Sequence, residues 1–304
     1  MTDPLLAEGV ALRSDDLIAV RRIALSMSSP ASLAALPGGF ATKRKGRGLE
    51  VADTREYAPG DDIRHLDRGT TARTGRLHVR QFQEERDRVT LLIADFRPSM
   101  YWGLQRAFRS VVAAEALSIV GWSLVEDGGR LGLLAIMPQG YESVPARGRT
   151  RGMLDVIGGM VSAHEAGLAA VAAGQTEERP LDTALVSAER LVPTGGEIVI
   201  ASGFDTVGPG FSDRLIALSQ RRSVKLVHVS EAEPEDLPAG QYPIRLPKGR
   251  VIRLGIGSSE ARRPSARQDI DDIDGHNAVV VKASDGVEKT ARKLVGSIAL
   301  GRPA

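Results

Sequence analysis

The 304-residue chain has no cysteine, which removes disulfides, thiol nucleophiles and thiolate-held metals at once. Aromatic residues make up only 4% of it, so a stacking platform for nucleic-acid bases is not encoded. The formal net charge is +2, and no excess of one sign points to a polyanionic partner. Uninterrupted apolar runs stay well short of the roughly 18 residues of a membrane span. Asp3 and Glu8 interrupt any basic-then-apolar leader pattern. The expectation is a cytoplasmic chain with no membrane span and no nucleic-acid partner. Also missing are a Walker A sequence and a Gly-x-Ser-x-Gly elbow. His65, His78, His164, His228 and His276 lie far apart, without zinc-ligand spacing, and structural roles are expected for them.

What is present is organised around Val89-Thr-Leu-Leu-Ile-Ala-Asp95-Phe-Arg-Pro-Ser99-Met100. A short apolar run of this composition predicts a fully buried strand of a parallel sheet. Polar residues at the carboxyl end of such a strand lie where open α/β sheets place their ligand crevices, which makes Asp95 the first candidate. Further buried strands are predicted at Leu131–Met137, Glu197–Ser202 and Val224–Val229, and another at Asn277–Lys282. Helices are predicted over Gln105–Glu126, Arg151–Val161, Leu181–Leu191, Phe211–Gln220 and Val287–Leu300, with the Ala/Gly-rich stretch 163–176 a loop or a loose helix. Strands alternating with helices predict an α/β fold, a doubly wound, mostly parallel sheet in a Rossmann-type three-layer sandwich. Before it come a helical segment (1–36) and a strand-and-turn segment (37–88), leaving 89–304 as the α/β domain.

The strand-and-turn segment is dense in charge of both signs. Arg55, Asp61, Asp62, Arg64, Asp67 and Arg73 stand among turn signals such as Tyr57-Ala-Pro-Gly60. Interleaved charges of this kind stay ordered only by pairing, so Arg–carboxylate bonds that fix the loops are expected. Asp61-Asp62 has the look of a catalytic carboxylate pair, but salt bridging to neighbouring arginines is the expected role. Lys43-Arg-Lys-Gly-Arg47 is a basic run that reads as a solvated loop; nucleic-acid binding is the alternative use for it.

The run from Gly48-Leu-Glu-Val-Ala-Asp53-Thr-Arg55-Glu-Tyr57 through Pro-Gly60-Asp61-Asp62-Ile-Arg64-His-Leu-Asp67, then Ala72-Arg73-Thr-Gly75-Arg-Leu77 and Glu84-Glu85-Arg86, resembles the signature of the DUF58 family. Arg68 stands where that family usually has Trp. The region that follows resembles the von Willebrand factor A-like domain carried by the family. The resemblance implies a non-enzymatic adaptor working with a MoxR-type AAA+ ATPase in the assembly or maturation of other proteins. Asp61, Asp62, Arg64, Asp67 and Arg73 are then the protein-interaction candidates, and oligomeric state is left open.

Domains of that type commonly hold Mg²⁺ in an Asp-x-Ser-x-Ser site completed by a Thr and a second Asp, since the ion wants an octahedron of oxygens. Here Asp95 and Ser99 match, but Arg97 replaces the first Ser. Gly203 stands where the second Asp belongs, with Asp205 two residues on. The resemblance therefore implies a degenerate metal site, with no catalytic residue, no cofactor and Mg²⁺ disfavoured. An Arg97–Asp95 ion pair is expected in the cation's place. The alternative enzymatic reading, a phosphatase-like hydrolase with Asp95 as nucleophile, wants a second Asp at position 97.

Overall fold

The computed structural model describes residues 4–27, 50–59, 61–83, 89–231, 240–245, 251–256 and 270–296. Lys43–Arg47, Glu84–Arg86, residues 28–36 and Ser297–Leu300 lie outside them. The chain divides into two compact units, residues 40–87 and the remainder.

The larger unit is built on seven strands. β3 (Val89–Asp95), β4 (Arg130–Met137), β6 (Glu197–Ser202), β7 (Ser223–Ser230) and β11 (His276–Lys282) run parallel. β5 (Gly140–Gly148) and β10 (Ile270–Ile273) close the two edges antiparallel, giving the order β10-β11-β7-β6-β3-β4-β5. Every residue of β3 is buried, as a strand covered on both faces requires. Pro145 lies in edge strand β5 beside a register shift at Leu131/Leu133, where a missing N–H is tolerated.

The helices α1 (Ser14–Met27), α3 (Arg109–Glu126), α4 (Arg149–Ala172) and α7 (Val287–Gly296) cover one face. Leu17, Leu117, Met153 and Ala291 there pack with Leu92, Leu133, Val199 and Val229 of the sheet. The helices α5 (Leu181–Leu191) and α6 (Phe211–Ser219) cover the other face, where Leu185 and Phe211 meet Leu91, Ile93, Ile198 and Leu226. Leu91 and Leu92 point to opposite cores, the alternation a pleated strand imposes. The result is a Rossmann-like three-layer sandwich. α4 is the one described helix long and apolar enough by composition to cross a membrane, and its Met153, Val156, Ile157 and Met160 side belongs to the core.

Two helix boundaries differ from the periodicity-based expectation. α3 starts at Arg109 rather than Gln105, because Phe108 N–H donates to Gly9 O (2.8 Å) instead of into a helical turn. Residues 163–172 continue α4 as regular helix. Gly167 does not break it; the glycine makes room for Tyr101, whose hydroxyl would lie 2.2 Å from a Cβ there. The β10–β11 hairpin turns on Asp274 (φ 53°) and Gly275 (φ 84°), the positive-φ pair that a two-residue turn demands. A separate hairpin joins β8 (Gly240–Arg245) and β9 (Val251–Ile256).

In the smaller unit, β1 (Glu50–Glu56) pairs antiparallel with β2 (His78–Gln83). Between them lie a 3-10 turn over Ile63–His65 and the short helix α2 (Arg68–Thr74), which ends at Gly75 in left-handed conformation (φ 70°).

Candidate functional site

Sheet order fixes where a crevice can open. From β3 the chain passes through α3 to β4 on one side, and β6 then pairs with β3 on the other. The carboxyl ends of β3 and β6 thus flank the topological switch point, the usual place for a site in open α/β sheets. Asp95 ends β3 and Ser202 ends β6. The Ser202 hydroxyl donates to Asp95 Oδ2 at 2.6 Å and accepts the Phe204 N–H at 2.9 Å.

Asp95 is completely buried, and a buried carboxylate persists only where donors and opposite charge meet it. Arg97 supplies both. Its Nε donates to Oδ1 (2.9 Å), its Nη2 to Oδ2 (2.7 Å) and its backbone N–H to Oδ1 (3.0 Å). Arg97 is extended (φ −76°, ψ 165°) ahead of Pro98, the conformation a following proline favours. The remaining nitrogen, Nη1, donates to Arg179 O (2.7 Å) and Thr206 O (2.8 Å) and lies 3.4 Å from Glu178 Oε1. One buried guanidinium therefore ties together the loops after β3, before α5 and after β6. Burial opposes its charge, but Asp95, helped by Glu178 and Asp205, outweighs burial and holds Arg97 above the ordinary arginine range.

A second arginine completes the arrangement. Arg109, at the start of α3, is buried and donates from Nε to Val229 O (3.0 Å), from Nη1 to Ser99 O (3.4 Å) and from Nη2 to Asp205 Oδ2 (2.8 Å). A Cβ at position 203 would lie 1.6 Å from Arg109 Nη2, so Gly203 is the space this guanidinium occupies. Glu178 accepts the Ser99 N–H (2.7 Å) and the Ser99 hydroxyl (3.0 Å). The carboxylates of Asp95, Glu178 and Asp205 against the guanidiniums of Arg97 and Arg109 leave one negative charge over. Arg109 and Glu178 escape a sequence reading. The only hint of Arg109 is a cation three residues after Arg106 at the head of an apolar helix, and Glu178 is one of two adjacent acids in a loop.

Beneath the site, His164 of α4 is fully buried. Its ring meets Phe96 edge-on and lies tilted against Tyr101. Nε2 is 3.1 Å from Ser110 Oγ, while Nδ1 has no hydrogen-bond partner. Burial pushes the imidazole down to about 4, so the ring is neutral near pH 7. Among the described residues no three His, Asp or Glu side chains converge as a metal-holding group.

The candidates of the smaller unit serve its own architecture. Asp61 takes a bidentate bond from Arg55 (2.6 and 2.7 Å) and accepts the Ala58 N–H (2.8 Å). Arg55 first, then Ala58, holds its carboxyl below the usual carboxylate range. Asp62 caps the 3-10 turn by accepting the Arg64 N–H at 2.9 Å, and Asp67 caps α2 by accepting the Thr70 N–H at 2.7 Å. Asp61 thus tethers Arg55 to the turn, and Asp62 caps the 3-10 turn that follows. Arg64 and Arg73 are exposed side chains of this unit.

With this geometry in view, residues 53–271 match the family model described as "Protein of unknown function DUF58". The match spans most of the chain, which belongs to that family. Uncharacterized proteins of Mycobacterium bovis and of two Mycobacterium tuberculosis strains are 35% identical to it over 102 residues. That stretch is 34% of this chain and covers 32% of each relative, about a third of their length.

Proposed function

We propose that this DUF58 protein is a non-enzymatic interaction module, a von Willebrand factor A-like domain in which arginine stands in for the adhesion-site cation. The supporting observation is the enclosure of Asp95. It has no exposed surface and accepts four hydrogen bonds, three from Arg97 and one from Ser202. A carboxylate offers about four lone-pair directions, and all are taken. A cation would have to displace Arg97, and a phosphoryl group would find no free carboxylate oxygen to attack it. The same enclosure weighs against the phosphatase-like alternative. On this reading the adhesion site is degenerate and its loops serve a protein partner without Mg²⁺. The family resemblance makes a MoxR-type AAA+ ATPase the expected partner, in cytoplasmic assembly or maturation of other proteins.

A metal series tests it. Millimolar Mg²⁺ or Mn²⁺ is expected to leave the melting temperature of the wild type unchanged, because a ligand without affinity for the native state gives no linkage stabilisation. The partner recovered by affinity capture from native cells should be retained in EDTA. A saturable Mg²⁺-dependent rise in melting temperature that disappears in Asp95→Ala would overturn the cation-free reading. Failure of any protein to co-purify, with or without metal, would count against the module itself.

A further inference from the structure

The loop between α4 and α5 sends one carboxylate into the cluster and leaves the rest of itself in water. Residues 173–177 and Arg179 are exposed, and Glu178 turns inward. Its two oxygens take the two donors of a single residue: Oε2 accepts the Ser99 N–H at 2.7 Å and Oε1 the Ser99 hydroxyl at 3.0 Å. Arg97 Nη1 stands 3.4 Å from Oε1 and contributes charge alone, because both its hydrogens go to Arg179 O and Thr206 O. The Glu178 side chain is 12% exposed against 1% for Arg97, so the carboxylate meets water where the guanidinium does not. Little else holds the loop. Among the described residues the N–H groups of 176–179 donate to no backbone carbonyl, and the loop's other side-chain tie is the exposed Gln139–Gln175 bond at 2.9 Å. A segment with so few ties opens locally far more easily than the core does.

We infer that the Ser99 N–H and hydroxyl, backed by the Arg97 charge, form a metal-free carboxylate-binding site that Glu178 fills from within the chain, and that an Asp or Glu side chain of a protein partner replaces it. The inference rests on the interaction-module reading and adds the chemistry of the partner and a built-in competitor. Glu178 itself shows what fits: two oxygens on one carbon, each matched to one donor. Exchanging carboxylate for carboxylate leaves the charge around Arg97 and Asp95 unchanged. A cation would face the Ser99 N–H and the guanidinium, and an amide would forfeit the attraction to Arg97. A phosphate would bring a third oxygen and extra charge to a site with two donors. A tethered competitor acts at an effective concentration on the order of millimolar. The intact chain therefore holds a lone acidic side chain weakly, and loss of Glu178 lifts that competition.

Two probes read this, sodium acetate and a random phage-displayed peptide library. Glu178→Ala is expected to melt below the wild type and to regain stability saturably in millimolar acetate, with sodium chloride at equal ionic strength as the blank. The wild type should not respond. Adding Ser99→Ala should weaken the acetate response about ten-fold, the worth of one hydrogen bond to a charged group. Peptides selected on Glu178→Gln, which keeps the side-chain shape and drops the charge, should share an Asp or Glu. They should bind the wild type about ten-fold more weakly. Glu177→Ala, an exposed change in the same loop, should behave as the wild type. No acetate response, an equal response in the wild type, or indifference to Ser99→Ala would overturn the site. Acetate rescue without an acidic consensus would overturn the assignment of a partner's side chain. A native partner captured equally by the wild type, Glu178→Gln and Ser99→Ala would remove this site while leaving the module reading intact. Acid-selective peptides with no native partner would sink the module reading alone.

Discussion

At the residue scale the chemistry turns on what surrounds Asp95. Its place is legible in the sequence, because a short β-rich run ending in an acid predicts a buried strand end. Arg97 is legible as its neighbour by the two-residue spacing. Arg109 is not, since it reaches the site from the next element and the contact spans 96 positions to Asp205. Gly203 reads from sequence as a lost ligand, yet structurally it is the clearance for Arg109. Arg97→Ser leaves a fully buried carboxylate without its counter-charge and is expected to cost about 3–5 kcal/mol in urea unfolding. Arg97→Lys should recover less than half of that, because an ammonium cannot bond both Asp95 oxygens and two loop carbonyls together. Pairing Arg97→Ser with Gly203→Asp should not create a Mg²⁺ response unless Arg109 is also shortened. An unchanged urea midpoint for Arg97→Ser would show that Asp95 does not depend on the guanidinium.

At the element scale, the strands are the most legible parts, since short apolar runs bounded by turn residues match the strands of a sheet covered on both faces. The predicted runs Val89–Ala94, Leu131–Met137, Glu197–Ser202 and Val224–Val229 all fall within strands of the sheet. Elements set by distant contacts were not legible. The start of α3 depends on Gly9, a hundred positions away, and α2 depends on a carboxylate cap within a stretch that otherwise signals turns. Asp274-Gly275 is a strong hairpin signal, but it sits among charged and Gly-rich residues that mask the short strand β10. Gly167 illustrates how the same residue carries opposite meanings. Composition marks it as a helix breaker, whereas the fold uses it to admit Tyr101, whose hydroxyl donates to His164 O at 2.9 Å. Gly167→Ala removes a glycine from a helix interior, which alone would favour the helix by up to about 1 kcal/mol. The clash with Tyr101 and with Phe96 O (3.1 Å) should reverse the sign, giving net destabilisation of about 1–3 kcal/mol. Stabilisation by this change, measured by thermal melting, would mean that α4 does not press on the loop after β3.

At the scale of the whole molecule, the site's position follows from strand order, which no single segment of sequence carries. Buried titratable groups then set how the whole fold responds to pH. His164 lies in the layer between α3, α4 and the strand-end loop, and burial lowers its proton affinity from 6.5 to about 4. The unfolded chain takes up this proton near pH 6.5, the folded chain only near 4, so between those values the unfolded state holds the extra proton. Stability is therefore full above about pH 6.5 and declines as pH falls toward 4. An interval of about 2.5 pH units is worth about 3 kcal/mol. His228, lowered by burial against the opposing pull of Asp271, acts in the same direction. Asp285 acts only at lower pH: burial raises it, but Lys289 and Lys293 outweigh burial and keep it below its ordinary value, so its contribution disappears as acid protonates it. Urea midpoints measured from pH 7.5 to 4.5 should hold level to about pH 6.5 and then fall for the wild type. His164→Gln, which cannot take up a proton, should flatten most of that slope whatever its stability at pH 7.5, leaving the residue due to His228. If the variant retains the full wild-type slope, His164 is reached by water and carries no linkage to folding.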